Sequence, residues 1–96
     1  MFVRTSTWSG SQEALERWTQ AVIEKVKPFA QGLPGNVGAY FVIDRESGEA
    51  MTITVWETED AAKATDTAAN QSRSRTMEGT GVTLVRKGRY EVVTSI

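Results

Sequence analysis

The chain has 96 residues, of which 40% are hydrophobic and 24% charged, and its net charge is -1. This is the composition of a single globular domain spanning residues 1–96. Cysteine and histidine are both absent, which excludes disulfides, thiolate nucleophiles, serine–histidine triads and metal sites built on those ligands. Interspersed charges and the lack of a long apolar run predict neither a nucleic-acid nor a membrane partner. The N-terminus MFVRTSTW has no signal-peptide layout, so we expect a cytoplasmic protein without metal or other cofactor.

The first predicted elements are a strand and an amphipathic helix. β-Branched and aromatic residues predict a strand from Phe2 to Trp8. A helix is expected to follow, with Ser9 or Ser11 as its N-cap. Pro28 lacks a backbone donor, so we expect the last turn to be kinked or restarted there. The apolar positions of this helix recur at spacings of three and four, and they are Leu15, Trp18, Val22, Val26 and Phe29.

Two further strands form a predicted β-hairpin. They run from Val37 to Ile43 and from Ala50 to Trp56, and the connecting DRESGE is rich in turn-forming residues. Because side chains alternate along a strand, the second of these places Met51, Ile53 and Val55 on one face. Trp56 and two threonines lie on the other face. Both faces of the hairpin therefore avoid water.

A second helix and a last strand complete the order βαββαβ. Thr58 is the predicted N-cap, and the break at GTG, residues 79–81, is the predicted end. The segment VTLVRKGRYEVVTSI then predicts one long strand or two short ones interrupted near Gly88. We expect the inward stripe of this helix to consist of small residues, namely Ala61, Ala64, Thr65, Ala68 and Ser72. Such a stripe means either close packing on the sheet or a ligand cavity of about 300 Å³ or more.

This order predicts a ferredoxin-like α+β domain, with an antiparallel sheet and both helices on one face. Two helices cannot cover both faces of the sheet. The second face is apolar, so we expect it to pack against another copy of the chain in a homodimer.

The segments PGNVGAYFVIDRESGEAMTITVW and ITVWETEDAA resemble the dimeric α/β-barrel superfamily, specifically antibiotic-biosynthesis-monooxygenase-type domains. The resemblance rests on the PG turn, the hairpin and the tryptophan–glutamate step that leads into the second helix. It implies a pocket between sheet and helices in each protomer and two sheets that meet in a barrel. Members include cofactor-independent oxygenases of aromatic polyketides and quinol-type compounds, haem-degrading enzymes and proteins without established activity.

The haem-degrading branch can be compared residue by residue. Its pattern has an asparagine on the first strand, a tryptophan ending the third, and a histidine ten positions later. Trp56 matches the tryptophan, but Asp66 stands where the histidine would be, and Ser6 or Thr7 where the asparagine would be. Because a carboxylate is a poor substitute for imidazole on haem iron, haem is not predicted.

Six residues are candidates for the pocket, and each also has a purely structural interpretation. Trp56 and Trp18 either fill the core or wall the pocket. Asp66 and Arg73 lie two turns apart on one helix edge, which is more often a solvated face. Asp66 is a possible general base only if desolvation near Trp56 makes its carboxylate more basic. Tyr40 either packs in the core or donates a hydrogen bond to a phenolic or quinone oxygen. The candidates are Trp56, Asp66, Tyr40, Trp18, Ser6 and Arg73.

Two functions of different class remain open. The first is a cofactor-independent monooxygenase of an aromatic or quinol-type small molecule. The second is a non-catalytic dimer that binds a small hydrophobic ligand or regulates a partner. An amino-acid-binding regulatory domain of the same element order has no residue that points to it. RNA recognition is disfavoured, since the third strand lacks exposed aromatic residues flanked by basic ones.

Overall fold

The computed structural model describes residues 1–96, and its framework is one antiparallel sheet. The strands are β1 (Phe2–Ser9), β2 (Asn36–Asp44), β3 (Glu49–Trp56) and β4 (Thr83–Glu91). Their spatial order is β2-β3-β1-β4, and two helical connections join β1 to β2 and β3 to β4. This is the ferredoxin-like arrangement, so the predicted fold class is confirmed.

The first helical connection has three parts: α1 (Gln12–Ala21), a π-helical turn (Val22–Val26) and α2 (Lys27–Gln31). Ser11 is the N-cap, since its Oγ accepts a hydrogen bond of 3.1 Å from the Ala14 amide. Pro28 lies in the first turn of α2, where its missing N–H costs nothing. The predicted restart at this proline is therefore confirmed, and the π-helical turn is the local adjustment that accompanies it.

The second helical connection is divided into α3 (Glu59–Ala64) and α4 (Asp66–Thr80), so the prediction of one continuous helix is wrong. Thr58 caps α3 as predicted, with 3.0 Å between its Oγ1 and the Ala61 amide. The break lies at Thr65, whose φ of -103° and ψ of 5° are not helical. Its hydroxyl lies 3.1 Å from the Ala61 and Ala62 carbonyls, and such bonding back to the preceding turn bends helices.

The inward stripe of this connection also differs from the prediction. Ala64 is exposed, whereas Arg73 is buried. The sequence analysis placed Arg73 on a solvated edge of the helix, so the predicted stripe was shifted by one position from the observed one. The side chains that face the sheet are those of Ala62, Thr65, Ala69, Arg73, Thr76 and Thr80, of which Ala69 is half-buried.

The β2–β3 turn is stabilised by its own side chain. The Asp44 Oδ1 accepts hydrogen bonds from the amides of Glu46 (3.0 Å) and Ser47 (3.3 Å). These bonds, chiefly the one from Ser47, hold the pKa of Asp44 below its usual value. Gly48 has a φ of +77°, a conformation that glycine adopts without strain.

The two faces of the sheet are differently covered. The helices lie over the face that carries Trp8 and Trp56, and the core groups Trp8 and Ala50 with Leu15, Trp18 and Val82. No element of the chain covers the other face, where Tyr40 is 68% and Tyr90 52% exposed. The prediction of an uncovered apolar face is confirmed. The large apolar and aromatic side chains of this open face are Val3, Tyr40, Val42, Met51, Ile53, Val55 and Tyr90, and the register also places Thr5, Thr7 and Arg86 on it.

None of the helices combines the length and the apolar character that crossing a bilayer requires.

Candidate functional site

A cavity of about 60 Å³ lies between the helix-covered face of the sheet and the helices. Aromatic rings form much of its wall: Trp8 from β1, Trp18 from α1, Phe29 from α2 and Trp56 from β3. Its volume is well below the roughly 300 Å³ or more of a typical ligand pocket. The cavity therefore has room for a few water molecules, at about 10–15 Å³ each, or for one edge of a ligand.

The cavity continues into a groove on the surface. This groove, of about 480 Å³, lies between α4 and the α1–α2 connection. Four residues line both spaces: Val26, Phe29, Ser72 and Thr76. A ligand larger than the cavity can therefore place one ring against the tryptophans and the remainder in the groove. Entry passes between α4 and the helix that restarts at Pro28.

Trp56 serves both as core residue and as cavity wall in the structure. Its side chain is fully buried, and its indole N–H donates a hydrogen bond of 2.9 Å to Thr54 Oγ1. The guanidinium carbon of Arg4 lies 4.6 Å from the ring centroid, a distance at which a cation and an aromatic face attract. Thr54 and Arg4 thus hold the indole ring in place, and the ring also forms part of the cavity wall.

Arg4 is a site residue that the sequence interpretation missed. Its Nη1 donates to the Ala62 carbonyl at 2.7 Å and to Asp66 Oδ1 at 2.9 Å, and its Nη2 lies 3.1 Å from Thr65 Oγ1. Burial lowers the pKa of Arg4, and the hydrogen bond and charge of Asp66 oppose that effect. A signal was present in the sequence, because Arg4 alternates with Ser6 and Trp8 on the inward face of β1.

Arg73 is buried beside Arg4 but has a different set of partners. Its Nε donates to Ser6 Oγ at 2.7 Å, and its Nη1 donates to Asn70 Oδ1 at 2.8 Å. Both acceptors are neutral, and Arg73 forms no ion pair. Burial, and then the charge of Arg4, lower the pKa of Arg73. The charge of Asp66 opposes these two effects, although Asp66 makes no hydrogen bond to Arg73. The cavity is therefore lined by a buried guanidinium that no carboxylate contacts, and a ligand anion could pair with it directly.

Asp66 does not line the cavity. Its Oδ1 accepts from Arg4 and its Oδ2 from Arg89 Nη1, each at 2.9 Å. Both carboxylate oxygens are thus engaged by arginines on the outer side of the site. The interpretation of Asp66 as a general base desolvated near Trp56 therefore has no geometric basis.

Tyr40 also lies away from the cavity. On β2 the residues Phe41 and Ile43 pack towards the helices, so strand alternation turns Tyr40 to the open face of the sheet. Contrary to the prediction, Tyr40 is not positioned to donate a hydrogen bond to a ligand in the cavity. Trp18 is buried at the cavity wall, and Ser6 and Arg73 face the same space.

Comparison with known proteins begins with the sequence. No family model matches the chain. Two uncharacterised proteins from two strains of Mycobacterium tuberculosis are each 29% identical to it over 83 residues. The match covers 86% of this chain and 37% of each relative, so the chain spans little more than a third of their length.

Solved structures share the fold along the whole chain. A candidate antibiotic biosynthesis monooxygenase from Deinococcus radiodurans has a TM-score of 0.78 at 17% identity and covers 100% of this chain and 96% of its own. SnoaB, a cofactor-independent oxygenase from Streptomyces nogalater, has a TM-score of 0.70 at 16% identity, with coverages of 99% and 95%. A dimeric ferredoxin-like protein from an uncultured marine organism has a TM-score of 0.71 at 11% identity, with coverages of 99% and 96%.

These similarities define the class of fold. The chain has the ferredoxin-like fold of antibiotic-biosynthesis-monooxygenase-type proteins over its full length. Identities of 17% or less support the fold alone, since one fold hosts many activities.

Proposed function

We propose that the chain is a small monooxygenase that needs no cofactor and acts on an aromatic or quinol-type molecule. The observation that carries this proposal is the cavity itself, which is lined by three tryptophans and by the buried Arg73, whose hydrogen-bond acceptors are both neutral. Aromatic walls bind flat, electron-rich rings. A buried guanidinium stabilises negative charge on such a ring. The groove supplies the room that the cavity lacks.

The chemistry follows from these groups. An anthrone-type substrate bound with its oxygen towards Arg73 is acidified and loses a proton to water in the groove. The resulting anion is electron-rich enough to react with O₂. One oxygen atom replaces two hydrogens of the ring CH₂ as a carbonyl, and the other leaves as water. The side chains bind, orient and stabilise the anion, while the electrons come from the substrate.

Oxygen uptake tests the proposal. Purified protein is incubated under air with anthrone and quinol substrates, and Arg73→Met is compared with wild type. Loss of one oxyanion-stabilising group typically lowers the rate about 10²- to 10³-fold. Arg45→Met is the matched control, because Arg45 is exposed on the hairpin. Uptake no greater than in a protein-free control across the substrate panel rejects the oxygenase, whereas full activity of the Arg73 variant rejects the role of Arg73 in it.

The alternative function is a non-catalytic protein that binds a small hydrophobic ligand or regulates a partner. One observation favours it, since the cavity lining contains no carboxylate, tyrosine or lysine that could take a proton. Tryptophan fluorescence separates the two functions. A ligand that quenches Trp56 and Trp18 emission saturably, without oxygen consumption, supports the alternative. Turnover of that ligand supports the oxygenase.

We also propose that a second copy covers the open face of the sheet. The support is the exposure of Tyr40, Val42 and Tyr90 on that face and the dimeric state of a protein with the same fold. Sedimentation velocity is expected to show a dimer for wild type and a monomer for Ile53→Lys. Ile23→Lys is the control, because Ile23 is exposed on the helical side and its variant should remain dimeric. A monomeric wild type contradicts the proposal.

A further inference from the structure

A second pocket lies on the outer side of the two buried arginines, between α4 and β4. It measures about 220 Å³ and has no hydrophobic residue in its lining. Four of its side chains are cationic and one is a carboxylate, although the whole chain has a net charge of -1. The polar side chains are those of Arg4, Asp66, Asn70, Arg73, Lys87 and Arg89.

Strand register explains why these cations meet. In the β1–β4 pair, Lys87 lies opposite Ser6 and Arg89 opposite Arg4. Residues opposite one another in an antiparallel pair point to the same face, so both β4 cations project towards α4. There Lys87 Nζ lies 3.3 Å and Arg73 Nη1 2.8 Å from the same atom, Asn70 Oδ1. Two cations thus share one neutral oxygen.

The carboxylate in the pocket is already committed. Asp66 accepts from Arg4 with one oxygen and from Arg89 with the other. No acidic side chain remains for Arg73 or Lys87, and neither forms an ion pair. Like charges brought together near a protein interior repel one another. An anion bound between these cations would relieve the repulsion. The pocket therefore has the charge of an anion-binding site.

We propose that this outer pocket binds a small oxyanion of the phosphate or sulfate type, held by Arg73, Lys87 and Arg89. Guanidinium groups donate to tetrahedral oxyanions through two N–H groups at once, and lysine adds a point charge. The anion has two possible sources. It is either a free inorganic ion or the anionic group of an aromatic ligand in the cavity, because Arg4 and Arg73 line both spaces. The site does not depend on the proposed oxygenase activity.

Thermal unfolding in inorganic phosphate, with ionic strength held constant by sodium chloride, tests the site. Binding to the folded state raises the unfolding temperature as the logarithm of ligand concentration. The Lys87→Ala and Arg89→Ala variants should each lose most of this rise. Arg45→Ala is the matched control, because Arg45 is exposed in the β2–β3 turn and lines neither the outer pocket nor the open face. Circular dichroism verifies that each variant folds.

Three results overturn the proposal: no rise with phosphate, the same rise with sodium chloride alone, or an equal rise in the Lys87 and Arg89 variants. Phenyl phosphate identifies the source of the anion. Affinity about tenfold or more above that of phosphate, with altered tryptophan emission, assigns the anion to a ligand of the cavity. Equal affinity without an emission change assigns the site to the free ion. Either outcome stands even if no oxygen uptake is found.

Discussion

Replacing each buried arginine by methionine should have unequal effects on stability. Arg4 and Arg73 lie close together, and burial lowers the pKa of both. Methionine keeps an unbranched side chain of comparable reach and removes the charge. Arg4 donates to a carboxylate, a backbone carbonyl and a hydroxyl, whereas Arg73 donates to a hydroxyl and an amide. The comparison therefore isolates the contribution of the ion pair and its network.

For Arg4→Met we expect a loss of about 3 kcal/mol in the free energy of unfolding. Breaking a buried ion pair costs about 3–5 kcal/mol. The lower end applies because Asp66 keeps Arg89 and its side chain is 42% exposed. At about 4–8 °C per kcal/mol for a domain of this size, the unfolding temperature falls by roughly 12–24 °C.

For Arg73→Met the opposing effects nearly cancel. Two hydrogen bonds from a charged group are lost, at about 1.5–3 kcal/mol each. Removing the charge recovers its burial cost and the repulsion from Arg4, the two causes of the lowered pKa. The burial cost of one ion in a protein is roughly several kcal/mol, which is comparable to the hydrogen bonds lost. The net change should lie within about 1 kcal/mol of zero.

Urea unfolding followed by circular dichroism at neutral pH measures both variants. Arg45→Met serves as the reference, since its exposed pair with Glu16 is worth about 0–1 kcal/mol. A loss for Arg73→Met equal to that of Arg4→Met would refute the reasoning. It would show that Arg73 is a structural residue whose neutral acceptors stabilise it fully.

Three further predictions concern the glycines, the hairpin turn and the cavity entrance. Gly35→Ala should lower the unfolding temperature, because Gly35 has a φ of +82° and an added Cβ would lie 2.5 Å from Ala61 Cβ. Gly79→Ala should raise the free energy of unfolding by up to about 1 kcal/mol, because a Cβ added at Gly79 meets nothing within 4 Å. The pKa of Asp44 is lower in the folded than in the unfolded state. The stability that Asp44 contributes is therefore present above its unfolded-state pKa and is lost as the pH falls through its folded-state pKa. The free energy of unfolding of Asp44→Ala should accordingly depend less on pH below about pH 4 than that of wild type. Phe29→Ala should widen the passage from groove to cavity and increase the association rate of an aromatic ligand in stopped-flow fluorescence, and an unchanged rate would place the entrance elsewhere.

The sequence predicts the parts of the fold that local signals determine. Ser11, Thr58 and Asp44 act through hydrogen bonds to residues near them in sequence. Pro28 acts locally too, through the backbone donor that it lacks. Alternation along β3 likewise separates Trp56 from the open face. The order of elements and the uncovered apolar face follow from these signals.

The candidate site is less predictable because distant partners determine it. Arg73 has the appearance of a solvated helix residue until Ser6, 67 positions away, is brought beside it. With Arg73 buried, the residues of α4 that face the sheet differ by one position from those predicted. Asp66 consequently lies outside the cavity. Tyr40 is misassigned for the opposite reason, since an almost continuously apolar strand gives no phase for alternation.

Asp66 shows how one position can organise a different kind of site on this fold. It lies ten residues after Trp56, where the haem-degrading pattern has its histidine. Here the carboxylate holds Arg4 with one oxygen and Arg89 with the other, and Arg4 in turn lies over the Trp56 ring. The carboxylate of Asp66 therefore holds two arginines close to the tryptophan that lines the cavity. Asp66→Asn should loosen that arrangement, reducing both phosphate stabilisation at the outer pocket and ligand-induced quenching of tryptophan emission in the cavity. Loss of neither would show that the two pockets are held independently of this carboxylate.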